Sequence, residues 1–283
     1  MNTPAKTATM LFLASMVCPL AQAEETGLIA NLGLQYKQLD MDQTFKGINN
    51  LRESAGSLKA RLPVVNLQLV GYRDAAYVAV KWEAGLAAQS VDSDIPFTTA
   101  NTSLSNDVSR DDVSITLGYK ILESTSIFAG YMSGKTRLTP ESVNCADDCP
   151  NAASRMRADG FGEYRQDYKE AGGFAGVLWS HELGSGRFGS SVAYARMHGK
   201  YKDNYSDSLG ASRFDYQGDS TGLSAAVSWL APLTENLAYF VEARVQNYHM
   251  DAKNASGDIR FSNSRVETHE VLSGIACGVQ MEL

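Results

Sequence analysis

The amino-acid sequence predicts an all-β protein whose strands close into one antiparallel barrel that spans a membrane. Three observations indicate this fold class. Apolar residues alternate with small or polar residues along most of the chain, short and long connections follow each other in turn, and the alternation continues to the last residue, Leu283. A period of two is typical of strands with one apolar face. We predict ten strands, with eight or twelve as the alternatives.

Composition limits the function classes. The 283 residues carry a formal net charge of −7 and are 44% hydrophobic, which is typical of a folded protein and not of a disordered, collagen-like or coiled-coil chain. Nucleic-acid binding needs a clustered basic surface, and the acidic sequence shows no such cluster. We therefore expect no nucleic-acid partner.

The first 23 residues have the organisation of a cleaved secretory signal peptide. Lys6 precedes an apolar segment, and Ala21-Gln22-Ala23 forms an A-x-A cleavage site. An uncleaved anchor helix is the alternative, but the apolar segment is short for a membrane span. The sequence predicts a signal peptide over residues 1–23 and a single barrel domain over residues 24–283.

Two cysteines, Cys145 and Cys149, lie in the polar, turn-rich stretch "VNCADDCPN". In an exported protein this spacing favours a local disulfide, which closes a small loop and adds little to global stability. A metal site is the alternative, but two thiols without further His or Cys ligands make a poor one. We expect neither a metal nor a cofactor.

Five strands are predicted in the first half of the chain. The first, "GLIANLGLQYKQL", alternates cleanly. The second, "LKARLPVVNLQLVGY", changes phase near Pro63, where we predict a β-bulge or an edge irregularity. The third, "AYVAVKWEAGLAA", carries Lys81 and Glu83 opposite its apolar face, so these charges are expected to point into a polar interior. The fourth and fifth are "DVSITLGYK" and "SIFAGYMSGK".

The second half supplies the other five strands: "YKEAGGFAGVLWS", "RFGSSVAYARMHG", "STGLSAAVSWL", "LAYFVEARVQNYHM" and "VLSGIACGVQMEL". The short connections are "YRDA", "ILESTS", "HELGSG" and "APLTEN", and the predicted long loops are residues 40–57, 90–110, 136–166, 201–215 and 251–265. Aromatic residues flank the short turns and predict a belt at a membrane interface: Tyr72, Tyr77, Tyr119, Phe128, Trp179, Phe188, Trp229 and Tyr239.

With these features the chain resembles bacterial outer-membrane β-barrel proteins, because strands can cross a bilayer only as a closed barrel. The resemblance implies an outer-membrane location in a Gram-negative bacterium and contact with outer-membrane lipid and lipopolysaccharide. It also implies that the barrel assembly machinery reads the final strand, where Val279, Met281 and Leu283 match the expected apolar pattern. The class usually ends in Phe, and Leu283 departs from that.

A secreted soluble β-barrel is the rival fold, because apolar faces that point inward would produce the same alternation. That fold predicts neither the asymmetry of the connections nor the aromatic belt. We therefore favour the membrane barrel.

The lumen of a ten-stranded barrel is narrow, and charges of both signs fall on its inward faces. Such charges can pair and plug the lumen, or they can line a small polar channel, and we favour the plug. The lumen candidates are Lys81, Glu83, Lys120, Glu242, Arg244, Glu270 and Glu282.

An enzymatic interpretation rests on a resemblance to omptin-like outer-membrane proteases, in which an Asp pair faces an Asp-His pair. The weak catalytic candidates are Asp92, Asp94, His249 and Asp251, between which a water molecule would attack a peptide bond. However, residues 201–215, where the resemblance requires a histidine, contain none. A lipid-modifying enzyme is a further alternative, but no Ser-His-acid grouping can be read from the spacing.

Loops held by a rigid scaffold commonly carry binding function, and the predicted long loops are rich in Asn, Asp, Ser and Thr. We therefore expect a non-enzymatic barrel, either porin-like with a small pore or a surface-interaction barrel. Its partner would be a small solute or a surface ligand.

Overall fold

The computed structural model of the protein describes residues 26–47, 54–86, 89–94, 102–145, 165–207, 210–255 and 263–283. The predicted signal peptide and Cys149 lie outside the described residues. No described residue belongs to a helix that is long and apolar enough to cross a membrane. The described residues form eleven strands: β1 (Thr26–Lys46), β2 (Ser54–Arg73), β3 (Ala76–Gly85), β4 (Gln89–Asp94), β5 (Thr102–Leu122), β6 (Thr125–Cys145), β7 (Arg165–Leu183), β8 (Gly186–Asp207), β9 (Gly210–Pro232), β10 (Leu237–Asn254) and β11 (Arg265–Glu282).

The strands form a closed antiparallel barrel. β1 pairs with both β2 and β11, which joins the first strand to the last. β3 and β4 share one position, because both lie between β2 and β5. The eleven strands therefore occupy ten positions around the barrel, and the predicted ten-stranded antiparallel barrel is confirmed for the described part of the chain.

Most strands are longer than the alternation predicted. All except β3 and β4 have 18–23 residues, whereas a tilted strand needs about 9–11 to cross the bilayer. The predicted loop at 201–215 is mostly a hairpin, since β8 and β9 stay paired as far as Asp207 and Gly210. About half of each long strand is thus available outside the membrane.

A belt of exposed apolar side chains surrounds the half of the barrel that contains the short turns. On β1 the outward side chains are apolar up to Tyr36 and become polar from Gln38 onwards. We define the lipid belt as residues 28–36 of β1, 113–122 of β5, 173–179 of β7, 188–194 of β8, 237–245 of β10 and 275–283, together with the residues of β2, β3, β6 and β9 that pair with those of β1, β5 and β10. A continuous band of exposed apolar side chains around a barrel suits contact with lipid and not with water.

Aromatic side chains mark both edges of the lipid belt. At the edge with the short turns, Tyr119, Trp179 and Tyr239 are exposed on the wall as predicted, whereas Tyr77 and Phe128 are buried in the lumen and Tyr72 packs against the same inward cluster. The prediction that these three belong to the belt is wrong, because all three lie on the inward phase of their strands. The other edge carries aromatic residues, each about half exposed, that the sequence analysis did not assign to a belt: Tyr36, Trp82, Tyr131 and Tyr194.

Beyond the lipid belt the two faces of the sheet exchange character. Within the belt the inward residues of β1 include Asn31 and Gln35, and beyond it they include Leu39 and Met41, while Asp42 points outward. In one half the barrel therefore has apolar side chains outside and polar side chains inside, as a membrane barrel does. In the other half it has the apolar interior of a water-soluble barrel.

This exchange explains the phase change near Pro63. The pairing of β1 with β2 runs without a shift through Tyr36–Pro63 and Lys37–Leu62, and buried residues alternate regularly on both sides of the proline. The predicted bulge or irregularity is therefore wrong. The same alternate residues of β2 point inward on both sides of Pro63. What changes is their chemical character, from apolar at Leu62 to polar at Asn66.

Candidate functional site

The described interior of the barrel is filled by three layers of side chains. A lower apolar layer near the short turns includes Ile29, Phe128 and Phe240. An upper apolar layer beyond the lipid belt includes Leu39 and Tyr248. Each apolar layer draws residues from nine of the ten barrel positions. In the upper layer the rings of Phe45 on β1 and Tyr201 on β8, four positions apart around the barrel, meet across the lumen with their centroids 5.9 Å apart.

Charged side chains form the middle layer. Lys37 on β1 donates hydrogen bonds to Glu83 on β3 and, at 2.8 Å, to Asp112 on β5. Arg110 on β5 donates from Nε to Asp112 at 3.1 Å and from Nη1 to Oε1 of Glu270 on β11 at 2.8 Å. β5 and β11 are four positions apart around the barrel, so the Arg110–Glu270 contact spans the lumen.

The middle layer extends to the other strands. Glu170 on β7 accepts hydrogen bonds from Tyr168 at 2.7 Å and from Ser220, and Arg244 pairs with Glu242 at 3.2 Å. A cavity of about 40 Å³ lies beside these groups, lined by residues that include Lys81, Glu83, Asp112 and Arg244. Its volume suits only a few water molecules.

The charges of the middle layer do not balance. Four cations face five carboxylates: Lys37, Lys81, Arg110 and Arg244 against Glu83, Asp112, Glu170, Glu242 and Glu270. Glu270 lies five residues beyond the lipid belt, and its Oε2 receives no hydrogen bond from the described residues. Burial, reinforced by the nearby Glu170, raises the pKa of Glu270 to about 7. One proton on Glu270 makes the layer neutral.

This raised pKa predicts that stability falls as the pH rises from 5 to about 7 and then levels off. Between those values folded Glu270 keeps a proton that the unfolded chain, with its ordinary pKa near 4.5, has lost, and above pH 7 the folded protein loses it too. Glu270→Gln should remove this part of the decline in the urea midpoint of the refolded protein. Glu267→Gln is the control, because Glu267 points outward and the Lys46 hydrogen bond lowers the pKa of Glu267 instead. A wild-type midpoint that stays level from pH 5 to 8 would contradict the prediction.

No protein-family model matches the chain, and no curated protein matches its sequence. Among solved structures, the outer membrane protease OmpT from Escherichia coli aligns with a TM-score of 0.65 at 13% identity, covering 91% of this chain and 97% of that one. OprG from Pseudomonas aeruginosa aligns at 0.41 and 12% identity, covering 92% and 97%. The translocator domain of the autotransporter NalP from Neisseria meningitidis aligns at 0.40 and 11% identity, covering 89% and 88%. The chain has the fold of bacterial outer-membrane β-barrels.

In this barrel the lumen candidates lie on inward phases. Glu83, Glu242 and Glu270 are buried in the middle layer. Glu282 lies near the short turns, where it accepts a hydrogen bond from Tyr72 at 2.7 Å, and Lys120 alternates inward beside exposed Tyr119.

Sequence reasoning left four charged members of the layer out of the lumen set: Lys37, Arg110, Asp112 and Glu170. Arg110 falls in the predicted long loop at residues 90–110, whereas β5 already begins at Thr102. The alternation does indicate an inward position for Arg110, because Arg110 and Asp112 continue the inward phase of Ser114 and Thr116 on β5.

The weak catalytic candidates lie on two separate parts of the barrel. His249 and Asp251 are exposed on the outer wall of β10, where His249 stands opposite His269 of β11. Asp92 and Asp94 belong to β4, four positions away around the barrel. Among the described residues, no group of three or more His, Cys, Asp or Glu side chains is arranged to hold a metal ion.

The residues of the predicted assembly signal lie at the seam where the barrel closes. Val279 and Met281 are exposed on the lipid belt, and the amide of Leu283 donates to the carbonyl of Leu28 at 2.9 Å. The last strand therefore contributes both to the lipid-facing surface and to closure.

Proposed function

We propose that this chain is a closed, non-conducting barrel of the outer membrane that acts as a surface-interaction protein and not as a pore or an enzyme. The observation that carries the proposal is the filling of the lumen by three layers of side chains, two apolar and one charged. An ion crossing the barrel would have to displace the apolar contacts and separate buried ion pairs, which is costly.

The part of the barrel beyond the lipid belt supports a role at the cell surface. On β1 ten residues follow Tyr36 before the strand ends at Lys46. At about 3.3 Å per residue and a tilt near 40°, they raise the wall by about 25 Å. This rigid wall with an apolar core would hold the loops well away from the lipid, where a surface ligand can reach them.

Ion conductance in a planar bilayer tests the proposal. We expect no stable unitary steps from the refolded protein, after a gel has shown that the folded form migrates differently from the boiled form. Steps whose ion selectivity changes in Lys81→Gln but not in Lys59→Gln would overturn the proposal. Lys81 points into the lumen and Lys59 is exposed on the outer wall.

The proposal that the chain is not an enzyme is tested with peptide substrates. We expect the refolded protein to leave basic peptides intact. Cleavage that is lost in Asp92→Asn or His249→Ala would instead indicate a protease, whatever the conductance.

A further inference from the structure

Three of the four histidines of the chain lie on the outer wall within the four consecutive strands β8 to β11, beyond the lipid belt. They are His198 on β8, His249 on β10 and His269 on β11, and all three are exposed. His249 and His269 stand directly opposite each other in the pairing of β10 with β11. We call these two residues the histidine pair. Because imidazole is the commonest metal ligand in proteins, two opposed histidines form a candidate metal site.

The strand register brings the two imidazoles close together. Opposed residues of an antiparallel pair alternate between hydrogen-bonded and non-hydrogen-bonded positions, and at the latter the Cα atoms are only about 4.5 Å apart. The amide of Asn254 donates to the carbonyl of Ser264 at 3.0 Å, which marks a hydrogen-bonded position. Asn254 follows His249 by five residues, and the register between them has no shift. The histidine pair therefore occupies a non-hydrogen-bonded position, where two ring nitrogens can reach one ion.

A neighbouring side chain determines which ring nitrogen of His269 is free. Nε2 of His269 lies 2.8 Å from Oδ1 of Asn247. A carbonyl oxygen only accepts hydrogen bonds, so Nε2 carries the proton and Nδ1 keeps its lone pair. Histidines that ligate metals almost always donate from the other ring nitrogen to an oxygen, which fixes their tautomer and ring orientation. His269 is thus oriented to ligate through Nδ1.

The surroundings of the histidine pair are acidic. Asp42 on β1 stands directly opposite His269, and Asp251 and Glu267 are the next outward residues on β10 and β11. Lys46 neutralises Glu267 at 2.7 Å. Neither Asp42 nor Asp251 makes an ion pair with another described residue. Two uncompensated carboxylates favour a cation at this position.

The histidine pair can be reached from water. His249 lies four residues beyond Val245, the last residue of the lipid belt on β10. With a rise of about 3.3 Å per residue and a tilt near 40°, this places His249 about 10 Å above the belt. Lys253 and Arg265 are the nearest cations beyond the pair on the same two strands, and they lie four residues, or about 13 Å, farther along. Neither lipid nor these cations therefore block an ion from the pair.

We infer that the histidine pair binds one divalent late transition-metal ion, such as Zn²⁺ or Cu²⁺. Imidazole nitrogens suit these ions, whereas Ca²⁺ and Mg²⁺ take oxygen ligands. No group of three or more His, Cys, Asp or Glu side chains is arranged for a metal in the described part of the chain, so water occupies the remaining coordination positions. The bound ion links β10 to β11. This inference goes beyond the proposed function, because the site lies on the outer wall and not in the sealed lumen.

Calorimetric titration of the refolded, untagged full chain in detergent with ZnCl₂ tests the inference, and CaCl₂ is the comparison ion. We expect His249→Asn/His269→Asn to bind Zn²⁺ at least tenfold more weakly than the wild type. His181→Asn/His198→Asn is the matched control, because it removes the other two histidines, both exposed, and it should bind within twofold of the wild type.

A second measurement detects the link between the two strands. An ion held by both strands binds the folded chain more tightly than the unfolded one, so Zn²⁺ should raise the urea midpoint of the wild type. We expect the same rise in His181→Asn/His198→Asn and none in His249→Asn/His269→Asn.

Three outcomes would overturn the inference. These are a loss of Zn²⁺ affinity in His249→Asn/His269→Asn no greater than in the control, Ca²⁺ binding by the wild type as tight as Zn²⁺ binding, or a wild-type urea midpoint that Zn²⁺ does not raise. Folding of each variant is checked by gel migration, and His249→Gln/His269→Gln replaces the asparagine variant if that variant does not fold. Conductance plays no part in this test, so its failure is distinguishable from failure of the proposed function.

Discussion

Arg110→Met is expected to destabilise the folded barrel by about 3–5 kcal/mol, the range for removing one partner of a buried ion pair. Arg110 is only 3% exposed and hydrogen-bonds Asp112, Thr136 and Glu270. Without the guanidinium, the middle layer has three cations against five carboxylates, and Glu270 is left buried without its donor.

Guanidinium unfolding of the refolded protein in lipid vesicles measures this effect. The double variant Arg110→Met/Glu270→Leu is the matched control, because it removes both partners and keeps the formal excess of carboxylates over cations in the layer at one. We expect it to recover most of the lost stability, since a buried ion pair can be replaced by apolar side chains at little cost. A single variant as stable as the wild type, or a double variant worse than the single one, would contradict the role assigned to Arg110.

The strands and their phases could be predicted from the sequence because they depend on neighbouring residues. Each of the ten predicted stretches coincides with a strand over most of its length, although the third and the tenth extend past the ends of β3 and β11, and the inward set Asn31, Gln35 and Lys37 was readable from alternation alone. Strand lengths were underestimated because the environment of each face changes beyond the lipid belt. Leu39 and Met41 alternate with Asp40 and Asp42 as regularly as before, but there the apolar side points inward.

The contacts between distant strands could not be predicted. Arg110 and Glu270 are 160 residues apart, and their meeting depends on barrel closure, register and tilt together. The row of lysines on the outer wall could not be predicted for the same reason. Lys135, Lys169 and Lys200 lie on β6, β7 and β8, and only the pairing of Lys135 with Lys169 and of Lys169 with Lys200 brings them together.

Leu32→Arg is expected to cost about 2–4 kcal/mol in lipid vesicles, although the Leu32 side chain is 55% exposed. Leu32 lies at the middle of the lipid belt on β1, where an arginine on the lipid face would lose its water. Thr44→Arg is the control, because Thr44 lies on the same outward face of the same strand but eight residues beyond the belt. We expect it to change stability by less than about 0.5 kcal/mol, as for an ordinary surface site.

The contrast between these two positions separates the membrane barrel from the soluble one. In water both arginines would be solvated, and the two variants would differ little in their free energies of unfolding. A cost at Leu32 but not at Thr44, measured by guanidinium titration in the same vesicles, requires lipid around one half of the wall and water around the other. Equal costs would mean that the exposed apolar belt does not contact lipid, and the argument that the upper half projects from the membrane would fail with it.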